Sequence, residues 1–193
     1  MNDIELRHKD IWNGKYRDIR FEIMKWRLGT IDDGHIVWNY YLFLPIEQIP
    51  SKYHKYFILK GSYKKLSPDG QSHLFYNYSG TSYISDLDWH GDITFYEKHL
   101  DGEGKLIGVK LGCDYAHYFD EVGGYPYDID YVFMETKQTI DKLYKLIPNM
   151  KVSCRWNGKF YDKSECEELP QGGYLANENK SAWYKVREPI RRN

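Results

Sequence analysis

The chain has 193 residues, 41% of them hydrophobic and 17% aromatic, which is enough length and apolar content for one packed core. Its 27 Lys and Arg residues are balanced by 28 Asp and Glu, and a formal charge of -1 provides no field for gathering polyanions, so general nucleic-acid binding is not expected. The start MNDIELRHKD is charged where a signal peptide is apolar, and no run of about 18 apolar residues occurs, so the chain is expected to be cytoplasmic and not membrane-spanning. Cys113, Cys154 and Cys166 are odd in number and form no CxxC pair, which fits a reducing compartment and offers no structural zinc signature.

From Tyr16 to Leu28, Ile19, Phe21 and Ile23 alternate with Arg20, Glu22 and Met24, the period-two pattern of a half-buried strand. Asp33-Gly34 reads as a turn, and His35 to Leu44, rich in β-branched and aromatic residues, returns as a second strand. Pro45 and Pro50 interrupt the pattern, and Tyr53 to Leu59 fits either a strand or a short helical turn. Ser67-Pro68-Asp69-Gly70 signals a turn, and the stretch 72–85 has the composition of a surface loop. Asp92 to Glu97 and Leu106 to Leu111, separated by Asp101-Gly102-Glu103-Gly104, predict another hairpin.

Between Tyr131 and Ile147, apolar positions at intervals of three and four predict the principal helix, with Asp128 or Asp130 as its cap and Pro148-Asn149 as its stop. Val152 to Tyr161, around Asn157-Gly158, predicts a last hairpin, and Asn177 to Val186 a short helix that packs Trp183 onto the sheet. The predicted class is therefore α+β: a mainly antiparallel sheet built of hairpins, with one principal helix packed on one face. One domain over 1–193 is expected, with 148–193 as a candidate appended lobe.

DLDWHGDIT and KLGCDYAHYFDE bring His90, Asp114, His117 and Asp120 near one hairpin end, since antiparallel neighbours lie about 5 Å apart. If 113–120 begins as a helical turn, the spacing of three aligns Asp114, His117 and Asp120 on one face. Two imidazoles and two carboxylates can hold a divalent metal, act as an acid-base pair, or hydrogen-bond a polar ligand. The spacing matches no strong metal signature, so no metal or other cofactor is assigned.

The competing structural reading makes His117 a buried histidine bonded to Asp114 or to a carbonyl, and His90-Gly91 a turn. Asp92 and Thr94 fit local capping, Thr94 remaining a candidate contact. Cys113 fits an inert core position better than a nucleophile. His8, His35, His54, His73 and His99 lack acidic or cysteine partner patterns and are expected to be mostly solvated. Tyr76, Tyr78 and Tyr83, with Trp89, Tyr115 and Tyr118, could wall a planar ligand or serve as strand and core packing.

WHGDIT followed by KLGCDYAHYFDE resembles the paired motifs of an uncharacterised family of bacteriophage and prophage proteins, in which His-Gly-Gly-[Leu/Ile]-Thr precedes Gly-Phe-Asp-Cys-Ala-His-x-x-Asp and a helix. The resemblance spans about Tyr40 to Ile147. His90, Gly91, Thr94, Gly112, Asp114, Ala116, His117 and Asp120 match, whereas Asp92 replaces a glycine, Cys113 a phenylalanine and Tyr115 the cysteine. The displaced cysteine argues against thiol catalysis. The resemblance implies a phage or mobile-element origin.

Two functional expectations follow. The first is a binding protein that holds a small polar ligand of nucleotide-derived chemistry among His90, Thr94, Asp114, His117, Asp120, Trp89 and Tyr115, sequestering a host defence signal. The second is a metal-dependent or acid-base hydrolase acting on a phosphodiester with the same cluster. Tyrosine enrichment, 19 residues, is also typical of interfaces, so a homo-oligomer or a blocked host protein fits the composition.

Overall fold

A computed structural model describes residues 9–28, 35–57, 87–91, 93–115 and 127–187. Five strands form one antiparallel sheet: β1 (Asp10–Tyr16), β2 (Ile19–Leu28), β3 (His35–Pro45), β4 (Phe95–Leu100) and β5 (Leu106–Asp114), in the order β1-β2-β3-β5-β4. The α+β class is thus established, with a sheet of hairpins and one main helix. Residues 29–34 and 58–86, including the turn expected at Asp33-Gly34 and the predicted surface loop, lie outside the described residues.

The run expected to start at Tyr16 is in fact two strands. Tyr16 pairs with Ile19, so Arg17 and Asp18 form a two-residue hairpin turn, with φ of 46° and 69°. Turns of this hand match the twist of the flanking strands but usually carry Gly or Asn, which hides this one in the sequence. In β2, Ile19, Phe21 and Ile23 are buried, as the alternation predicts, and in β3 so are Trp38, Tyr40, Leu42 and Leu44. On β5 the inward residues are Val109, Leu111 and Cys113. Gly112 leaves room for the Tyr41 ring, which lies over it on the other face; a Cβ there would collide with that ring and come within 2.6 Å of the Tyr40 carbonyl oxygen.

Between β3 and β4, Pro45 and Pro50 precede single 3-10 turns at Ile46–Gln48 and Ser51–Tyr53, which lead into α1 (His54–Phe57). The helical alternative for this stretch is therefore the observed one. His54 is not solvated as expected: its Nε2 lies 2.7 Å from the Ile49 carbonyl oxygen, tying the turn together. The β4–β5 turn is held by Asp101, whose carboxylate accepts the Glu103 N–H at 3.0 Å and the Lys105 N–H at 2.8 Å.

The principal helix, α2 (Ile129–Leu146), starts at Asp128, whose carboxylate accepts the Tyr131 N–H at 2.8 Å. Its buried stripe, Val132, Thr136, Thr139, Ile140 and Leu143, closes one face of the sheet against β2 and β3. The chain after Pro148 adds β6 (Val152–Ser153) with β7 (Phe160–Tyr161), then β8 (Cys166–Glu168) with β9 (Tyr174–Ala176), and α3 (Lys180–Arg187). It builds a small core of its own from Cys154, Leu169, Leu175 and Ala176. Trp183 packs on this second core rather than on the main sheet, because the small lobe lies nearer in the chain and offers it the ring of Trp156.

Candidate functional site

Alternation along the end of β5 decides what the predicted cluster becomes. Cys113 and Tyr115 turn toward α2 and are buried, and the Tyr115 N–H continues the ladder to the Trp38 carbonyl at 2.9 Å. Asp114, between them, turns to the opposite face of the sheet, opposite Asn39 in register and close enough to act electrostatically on Tyr41. The expected convergence of His90 with Asp114 is therefore corrected: they share an end of the hairpin but not a face. The helical start expected for 113–120 is likewise corrected, since Cys113 and Asp114 are strand. His117, Asp120, Ala116 and Tyr118 lie outside the described residues, as does Asp92.

What His90 meets instead is Glu135, on the first half of α2. Its Nδ1 donates to one carboxylate oxygen at 3.1 Å, the Tyr115 hydroxyl donates to that same oxygen, and the Tyr131 hydroxyl donates to the other at 3.0 Å. The imidazole also stacks on the Tyr115 ring, with centroids 3.9 Å apart and planes 16° from parallel. Tyr127 closes edge-on against both rings, at 5.4 Å and 5.0 Å. Trp89, the other aromatic candidate, stacks on Tyr40 at 5.7 Å. Thr94 contributes its backbone: its N–H reaches the Gly112 carbonyl at 3.0 Å and extends the β4–β5 ladder.

A buried hydroxyl chain supports this group from below. The Thr139 hydroxyl donates to the Asp88 carbonyl at 2.6 Å, so the Tyr40 hydroxyl, 2.8 Å away, must be the donor to Thr139. These bonds fix the 87–91 segment, and with it Trp89 and His90, against the helix. Burial raises the Tyr115 and Tyr40 phenols above their ordinary value, and for Tyr115 the bond to Glu135 adds to this, so both stay neutral donors.

Burial by itself would raise the Glu135 carboxyl, but the bonds from His90, Tyr115 and Tyr131 outweigh it and hold it below its ordinary 4.5. Glu135 is therefore an ionised carboxylate with three convergent donors. Burial drives the Cys113 thiol well up, which removes it as a nucleophile. Among the described residues, no group of three or more His, Cys, Asp or Glu side chains is placed to hold a metal ion.

The structure brings Tyr115 against His90 and sets the neighbouring Trp89 on Tyr40; it adds Glu135, Tyr127 and Tyr131, which the sequence did not single out as site residues. The available signal was the pair Tyr131 and Glu135, one helical turn apart and flanking the buried stripe, where they can lean toward the sheet edge. Among the described residues no helix is long and apolar enough to cross a membrane. Comparison with protein-family models, with curated proteins and with solved structures finds no match to this chain.

Proposed function

We propose that this protein binds, without transforming it, a small polar ligand of nucleotide-derived chemistry at the His90–Glu135 cluster, and that it is a phage-type protein which sequesters a host defence signal. The observation that carries this reading is the half-buried Glu135 carboxylate, ringed by His90, Tyr115, Tyr127 and Tyr131. A fixed carboxylate is the acceptor that exocyclic amines and ribose hydroxyls need, and neighbouring rings supply apolar faces for a base. Rigid sites of this kind lose little ordering entropy on binding. The buried Cys113 thiol offers no nucleophile, which leaves the cluster better suited to recognition than to thiol-based bond cleavage.

The test is to incubate purified protein with cyclic dinucleotides and ADP-ribose-type nucleotides, wash it, denature it by heat and identify what is released. Recovery of unaltered ligand, lost in Glu135→Ala, is the expected result; altered ligand, or no retention of any of them, would refute the reading. One observation favours an acid-base hydrolase as the second reading: the Glu135 bond to Nδ1 fixes the His90 tautomer and makes Nε2 the basic nitrogen. In that case the recovered nucleotide is hydrolysed, and His90→Ala abolishes the hydrolysis.

A further inference from the structure

A cleft of about 1000 Å³ lies at the other end of α2, between the Arg17–Asp18 turn and the chain from Pro148 to Tyr174. Tyr144 lines it, about 14 Å along the helix from Glu135 at 1.5 Å per residue, so the two places are separate.

Two turns with left-handed backbone border this cleft. The first is Arg17–Asp18, where neither residue is glycine. Asp18 accepts the Ser153 N–H at 3.1 Å and its hydroxyl at 2.9 Å, and pairs with Lys15 at 2.8 Å. Arg17 pairs with Asp141 at 2.7 Å, lies 4.4 Å over the Tyr144 ring, and accepts the Tyr144 hydroxyl at its carbonyl. The second turn is Gly172–Gly173, with φ of 83° and 84°. The Arg155 side chain rests against Gly173 and donates to the Gly172 carbonyl at 3.0 Å. For Arg17 and Asp18 this left-handed backbone is unfavourable and persists only where the surroundings over-determine it, so that wall is set before any ligand arrives, while the glycine turn is held by its bond from Arg155.

The charges then decide what fits. Lys15 is neutralised by Asp18, and Arg17 by Asp141. The remaining charged groups on the walls are Arg155 and Lys163 against Asp162 and Glu168, none of which pairs with a side chain of opposite charge among the described residues. An anion would gain two donors but face two carboxylates; a cation would meet the reverse. Two donor-only and two acceptor-only groups, with the amides of Asn149 and Gln171 able to do both and the Tyr174 ring beside them, suit an uncharged ligand whose polar groups each donate and accept.

We propose that this cleft is a second binding site, for a neutral saccharide. Its volume lies at the upper end of the range that encloses a drug-sized ligand, which fits a short oligosaccharide better than a single sugar.

Calorimetric titration of the full chain with maltotriose, cellotriose and triacetylchitotriose, and in parallel with sodium phosphate, tests this. At least one trisaccharide should bind with a Kd of about 1 mM or tighter, the range of weak but specific contacts. Glu168→Gln and Lys163→Gln, both at exposed positions, should each weaken it about tenfold without moving the thermal melt, the loss expected when a charged hydrogen-bonding partner is removed. The proposal is overturned if all three trisaccharides give no binding, if phosphate binds more tightly than they do, or if both variants keep the affinity of the parent.

Discussion

Removing the Glu135 carboxylate should destabilise the fold by an amount that follows from who loses a partner. In Glu135→Ala the Tyr115 hydroxyl, on a residue only 3% exposed, keeps its donor but loses the acceptor it has among the described residues, a loss of about 1–3 kcal/mol. The His90 imidazole, with 15% of its side chain exposed, recovers part of its bond from water and adds about 1 kcal/mol. Tyr131, 38% exposed, rehydrates and adds almost nothing. The sum, about 3 kcal/mol, corresponds to a fall in Tm of about 6–12 °C for a chain of this size. Differential scanning calorimetry measures it directly. Tyr115→Phe supplies the internal check, because it should be clearly destabilising in the parent and nearly silent once Glu135 is gone. A Glu135→Ala melt within about 1 °C of the parent, or additive effects in the double variant, would refute the description of the cluster as one network.

The same carboxylate sets a pH dependence: its folded pKa lies below the ordinary 4.5, so its contribution is complete above that value and is lost as pH falls through the lower folded value. Acid titration of stability should therefore be shallower for Glu135→Gln than for the parent below about pH 4.5, and parallel curves would contradict this. Gly112→Ala should destabilise by roughly 1–3 kcal/mol in urea denaturation, since the added methyl group meets the Tyr41 ring and the Tyr40 carbonyl; an unchanged midpoint would show that the sheet yields there at no penalty. Thr139→Val, close in shape, should lower stability by about 1–3 kcal/mol by taking the donor from the Asp88 carbonyl and leaving the Tyr40 hydroxyl with the weaker Cys113 thiol, and should speed amide exchange in 87–91; unaltered exchange would mean the segment is held by other means.

How much of this was legible in the sequence depends on how local the cause is. Alternation in Ile19–Ile23 and the three-and-four spacing after Tyr131 report burial of a face, and they located β2 and α2 because the core obeys them. The Asp128 cap and the Asn157-Gly158 hairpin were readable for the same reason: the physics involves only a few consecutive residues. The Arg17–Asp18 turn was not readable, because non-glycine residues occupy a backbone region that the rest of the molecule enforces. The candidate site failed at a comparable point. Spacing of three suggested helix where the chain is still strand, and in a strand Asp114 must face away from both its neighbours. Glu135 looked like an ordinary solvated helix position, and only the approach of 87–91 and Tyr115 from distant parts of the chain adds two partners to the local one, Tyr131.

The strand order has a kinetic corollary. β1, β2 and β3 close through short reversals, as do β4 and β5, but β3 and β5 are joined across residues 46–105, the longest excursion within the sheet. Ring closure over such a stretch is slow, so the seam between Leu42 and Leu111 should zip last, late in the transition to the native state. Tyr40 lies on one side of that seam and Tyr115 on the other, which makes the His90 neighbourhood a product of the final folding step rather than of either half alone.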